Sequence, residues 1–153
     1  MSIQSDFLTE NGRLQALSQL DFLRTVKRAE IAQYLHDAKE SGDVIDNAAY
    51  EDAKSEQFRL EQRIHELEQL LARAKPAPKV EGVVSLGSQV HLSTDDGRQY
   101  HYMLVGAFEA KPSEGRISNE SPVGKALLGH KEGDLVIVST PSGVKEYTIL
   151  SIR

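Results

Sequence analysis

The chain has 153 residues, a formal net charge of −5 and no cysteine, which excludes disulfides and thiolate metal sites. An acidic balance also argues against a surface that tracks a nucleic-acid backbone, because such a surface is basic. No stretch approaches the ~18 apolar residues of a membrane span, and the start "MSIQSDFLTENGR" has neither the basic head nor the apolar run of a signal peptide, so a cytoplasmic location is expected. Residues 1–75 carry 14 acids against 10 bases and no proline, whereas residues 76–153 carry 9 against 8 and all five prolines. The first part therefore reads as helix and the second as strands and turns.

Thr9 can cap a helix that begins near Glu10 and runs without proline to Ser41. Leu14, Leu17, Leu20 and Leu23, then Ile31, Leu35 and Ala38, are expected to form its apolar stripe, with a bend or register change at residues 25–29, "TVKRA". Ser41-Gly42 ends it, glycine taking the left-handed position cheaply. In the second helix, Ala53, Gln57, Leu60, Ile64, Leu67 and Leu71 follow a heptad seam. Two such helices joined by a short turn run antiparallel. About thirty residues at ~1.5 Å each make a rod on the order of 45 Å long, its free end at residues 42–47.

That end is acidic. From Asp37 to Asp52 there are six acids and one base, Lys39. One reading is capping, with Asp46 or Asn47 at the helix start and Asp43 beside its positive end. The other is that Asp43 and Asp46 are presented to a partner. Two carboxylates on one turn are hard oxygen ligands that suit Mg²⁺ but cannot complete its octahedron, so they would matter where another molecule supplies the rest, as in a shared two-metal centre. Val44 and Ile45 between them favour insertion into a partner.

"KPAPK" (75–79) reads as a stiff linker. Beyond it, "VEGVVSLGSQVHLS" and "RQYHYMLVG" flank "TDDG" as a hairpin, and "GDLVIVSTPSGVKEYTILSIR" forms a second one around Pro141-Ser142-Gly143. Between them, Ser121 caps a short helix, Pro122 takes its first position and Gly129 stops it. This gives an α+β domain of four or more strands and one helix. Tyr100 and Tyr102 share one strand face and are expected in its core. The five histidines form no ligand-spaced set; His36 and Glu40, one turn apart, read as a solvated face.

The order of "LTENG", "FLRTVKRAEI", "AKESGDVIDNAAYEDAKSEQ", a heptad helix, "ISNESPVGKALLGHKEGD" and "TPSGVKEYTILSIR" resembles the bacterial Gre family of transcript cleavage factors over nearly the whole chain. The resemblance implies an N-terminal antiparallel coiled coil (1–75), a linker (76–79) and an FKBP-like C-terminal domain (80–153). It implies docking of the second domain at the rim of the secondary channel of RNA polymerase, with Ser121 and Pro122 in the docking segment. The coiled coil then reaches the active centre, where Asp43 and Asp46 help hold a second Mg²⁺ and the attacking water, and the polymerase cleaves its own backtracked RNA. Lys39 and Lys54 match basic positions that meet the RNA 3′ segment; without the resemblance they read as solvated helix lysines. The expected partners are thus RNA polymerase and the nascent RNA 3′ end, with no membrane, no cofactor when free, and a monomeric chain.

The tip departs from the family pattern Gly-Asp, two variable residues, Glu-Asn-Ala-Glu-Tyr. This chain has Asp46 for the first Glu and Ala49 for the second, and Ala29 replaces the proline usual after Lys-Arg. A non-cleaving regulator or inhibitor in the same channel is therefore a second reading, and a prolyl-isomerase-like folding helper a third.

Overall fold

The computed structural model describes residues 7–41 and 47–153. They form two units: one within residues 13–73, whose described elements are helices, and one of residues 74–153 together with 7–12. Phe7–Gly12 groups with the sheet-bearing unit and not with the helices. Among the described residues no helix is long and apolar enough to cross a membrane.

The helical unit is a hairpin. Helix α1 (Glu10–Phe22) passes through a π turn (Leu23–Lys27) into α2 (Arg28–Glu40), and α3 (Ala48–Arg73) returns. The Arg28 N–H donates to the Leu23 carbonyl five residues back, so the π turn adds one residue to the helix. That insertion resolves the expected register change. Leu20 is buried, Leu23 half-buried, and the inward line resumes at Ile31, Leu35 and Ala38, leaving an eight-residue gap where a heptad has seven.

The expected stripe needs correction at its start. Leu14 and Leu17 are 53% and 41% exposed, whereas Ala16 and Leu20 are buried. Three residues advance a helix by about 300°, so leucines spaced by three drift around it, and Leu14 lies about half a turn from Leu23. On α3, Ala53, Leu60, Ile64 and Leu67 are buried, Leu71 is half-buried and Gln57 faces solvent.

Cross-hairpin polar pairs fix the antiparallel register. Arg24 pairs with Glu68; Arg28 Nε and Nη2 each donate to Glu61 at 2.9 Å; the Tyr34 hydroxyl donates to Asp52 at 3.0 Å. The bidentate bond from Arg28 holds the Glu61 carboxyl below its usual range, and Glu61 raises Arg28 in turn. These groups are exposed, so the pairs set register more than they add stability.

The second unit contains a five-stranded sheet in the order β5-β4-β3-β7-β6, where β3 is Gln89–Thr94, β4 Gln99–Val105, β5 Arg116–Ser118, β6 Leu135–Thr140 and β7 Gly143–Ile152. Both expected hairpins form, β3–β4 and β6–β7, and Gly97 at φ 84° makes the first turn possible. The β5 strand, parallel to β4, was not anticipated. Alternation sends Val90, Leu92, Val136, Val138, Tyr147 and Ile149 into one core with Leu127 of α4 (Pro122–Leu127). Tyr100 and Tyr102 pack against that core, their rings stacked at 5.7 Å.

A two-stranded parallel ladder joins β1 (Phe7–Leu8) to β2 (Lys75–Pro76), and the Ala77 N–H donates to the Leu8 carbonyl at 3.2 Å. The start of the proline-rich segment is therefore paired backbone. Beside it, Glu109 is buried and accepts from the Thr9 N–H at 3.0 Å and from the Thr9 hydroxyl. The same hydroxyl accepts from the Gly12 N–H at 3.1 Å, the expected cap of α1.

Candidate functional site

The site expected at the hairpin end is framed by two helix termini. Asp43 and Asp46, with Val44 and Ile45, lie outside the described residues, and the geometry on either side is as follows. On the outgoing side, Ser41 closes α2 through its N–H to the Asp37 carbonyl at 3.1 Å. On the returning side, Asn47 starts α3. Its side-chain oxygen accepts from the Tyr50 N–H at 3.1 Å, and its amide nitrogen donates to the Ala38 carbonyl of α2. One side chain therefore caps α3 and ties it to the end of α2. Ala38 is buried beneath this clasp.

Lys39 and Lys54, which the sequence places on different helices, converge on one ring. Their ammonium nitrogens lie 6.0 and 5.8 Å from the centroid of Tyr50, at the outer limit of a cation–π contact. Tyr50 is half-buried while both lysines are exposed. A half-buried ring thus lies near two exposed positive charges, one from the last turn of α2 and one from the start of α3. Tyr50 and Asn47 did not stand out as site residues in the sequence. The available signal was spacing: Tyr50 is three residues after the cap and four before Lys54, so one helix face carries all three.

The remaining candidates separate from this group. His36 Nε2 is 4.0 Å from Glu40 with both side chains mostly exposed, as a solvated pair would be. Ser121 and Pro122 belong to the other unit. The Ser121 hydroxyl accepts from the Gly124 N–H at 3.1 Å and donates to the Ser118 carbonyl at 2.7 Å, and Pro122 opens α4. Pro122 is exposed, so capping leaves the segment accessible. Among the described residues no group of three His, Asp or Glu side chains is placed to hold a metal ion.

Comparison with known proteins matches both parts of the chain in order. Residues 7–75 match the family described as "Transcription elongation factor, N-terminal", and residues 78–153 match "Transcription elongation factor, GreA/GreB, C-term". The chain is 45% identical over 157 aligned residues to transcription elongation factor GreA of Chloroflexus aurantiacus, and 44% identical over 157 to that of Roseiflexus castenholzii, covering 100% of each chain in both cases. Among solved structures it is similar to GreA factor homolog 1 of Thermus thermophilus, at 36% identity over 96% of this chain and 97% of that one, with a TM-score of 0.43.

Proposed function

The chain belongs to the GreA/GreB family of transcription elongation factors, and from that premise we propose that it enters the secondary channel of RNA polymerase and stimulates cleavage of the RNA 3′ end in backtracked complexes. It acts as a monomeric accessory factor, the bond-breaking centre being the polymerase's. The observation that carries this reading is a helical hairpin tied by Asn47, with Asp43 and Asp46 in the sequence between its helices. Because Asn47 supplies the cap of α3, the helix start does not require a carboxylate at position 46, which supports a different task for Asp46.

The donor set fits a shared metal. Two carboxylates are the oxygen ligands Mg²⁺ takes, and their number leaves most of an octahedral shell to polymerase, RNA and water. When bound, Mg²⁺ supplies an activated water and neutralises charge that develops on the phosphate. The chain's own contribution is to carry Asp43 and Asp46 in the segment between α2 and α3, to set Lys39 and Lys54 around Tyr50 against the RNA backbone, and to dock through Ser121 and Pro122 of the second unit.

The altered tip favours one competing reading. Asp46 reaches one methylene less than the family's Glu, and Ala49 removes a second acid, which would suit a non-cleaving occupant of the same channel. Adding the protein to backtracked complexes at several Mg²⁺ concentrations separates the two. Shortened transcripts, increasing with Mg²⁺, are expected; slowed elongation without shortening would establish the regulator instead.

A further inference from the structure

Apart from the hairpin, residues of β3, β4 and β5 and of the end of the chain line an open pocket of about 450 Å³, with Gln89, His91, His101 and Met103 among them. Strand register builds its floor. Gln89 pairs with Met103, Met103 pairs with Arg116, and Gln89 exchanges backbone hydrogen bonds of 2.8 and 2.9 Å with Arg153. Arg153, the residue after β7, and Arg116 of β5 therefore end one row that crosses β3 and β4. At ~4.8 Å per step their backbones stand roughly 14 Å apart. In the next row His91 lies directly opposite His101, with Ser151 on the other side of His91. The two imidazoles stack with centroids 4.0 Å apart and planes 16° from parallel, and His91 Nε2 lies 3.0 Å from Gln99 Oε1.

The side-chain charge of this lining runs against that of the chain, whose net is −5. Among the lining side chains are two guanidinium groups, Arg116 and Arg153, and one carboxylate, Glu114. That carboxylate is already shared, accepting from Arg116 Nη2 at 2.7 Å and pairing with Lys111. Arg116 keeps a buried Nε–H with no acceptor among the described residues, and Arg153 is exposed. An anion between them gains two cations whose planar forks suit phosphate. The volume exceeds what inorganic phosphate fills and falls within the ~300–1,000 Å³ of small-molecule sites. The stacked imidazoles add a flat π surface for a second ring.

We propose that this cavity binds a phosphate-bearing small molecule with a planar ring, a mononucleotide in size and chemistry, with phosphate between Arg116 and Arg153 and the ring on the His91–His101 stack. The site uses none of the hairpin residues and neither Ser121 nor Pro122, so it is additional to the polymerase-directed surfaces.

Calorimetric titration of the full chain with GMP, ribose 5-phosphate, guanosine and inorganic phosphate tests it, with the imidazole NMR signals of His91 and His101 followed in parallel. GMP is expected to saturate one site, shift both imidazoles and bind about tenfold more tightly than ribose 5-phosphate. Arg153→Gln, at an exposed position where the fold should persist by circular dichroism, is expected to weaken GMP by about tenfold. His101→Ala is expected to bring GMP down to the level of ribose 5-phosphate. The proposal is overturned if GMP gives no saturable binding, if phosphate or ribose 5-phosphate binds as tightly as GMP, or if neither substitution changes the affinity. Polymerase is absent from the titration, so failure here leaves the transcript-cleavage reading intact.

Discussion

Capping is local, which is why Thr9 and Ser121 could be assigned from their neighbours alone. Each side-chain oxygen accepts from an N–H three residues on. Glu109 could not be found that way, because its partner Thr9 is 100 residues distant and a lone Glu gives no sign that it will be buried. Close approach is equally hidden. A Cβ built on Gly124 would sit 1.9 Å from the Ser118 carbonyl oxygen, and backbone cannot yield as a flexible side-chain end does. Gly124→Ala is therefore expected to destabilise the sheet unit by about 1–3 kcal/mol, read as a lowered melting temperature; an unchanged melt would contradict this packing. A pH effect belongs to Asp134, whose carboxyl is held below its ordinary range by the Lys131 N–H and then by His130. A depressed carboxylate stabilises the fold above its unfolded pKa and loses that contribution as pH falls through the folded value. Melting temperature should thus decline on the acid side of about pH 4, and Asp134→Asn should flatten that decline. An identical acid-side slope in the variant would remove Asp134 from the account.

At the scale of elements, long periodic segments were the legible ones. The heptad of α3 placed Ala53, Leu60, Ile64 and Leu67 inside because spacings of three and four alternate and cancel drift. In α1 the leucines repeat at three only; Leu20 is buried as expected, while Ala16 is buried in place of Leu14 and Leu17. The three-residue β5 is too short to show alternation, and it forms because β4 offers a free edge to pair with. The pairing of Lys75–Pro76 with Phe7–Leu8 depends on a partner far off in sequence, as Glu109 does. The π turn was visible as a fault in periodicity, though not as a geometry, and it makes a sharp prediction. Deleting exposed Thr25 removes the inserted residue and restores a seven-residue gap, so the helical unit should stay folded with its melting temperature unchanged or raised. Deleting Gln33 instead rotates Leu35 and Ala38 by about 100° away from the face that Ile31 holds, with a loss on the order of 2 kcal/mol or more. Equal damage from the two deletions would show that the π turn has a role beyond register.

For the whole molecule, the order of motifs was more informative than any one of them. Family membership was readable because several separated segments agree in sequence and spacing, and both parts of the chain match accordingly. The site was legible only in part. Lys39 and Lys54 appeared as isolated charges, and only the hairpin's closure through Asn47 brings them to a common ring at Tyr50. The central claim is that Asp43 and Asp46 complete a metal site inside polymerase without being needed for docking. The most direct measurement is RNA release from backtracked complexes with Asp43→Asn and Asp46→Asn, alongside polymerase affinity for each variant. Cleavage is expected to fall by about a hundredfold or more while affinity stays within about twofold. Wild-type cleavage by both variants would contradict the account.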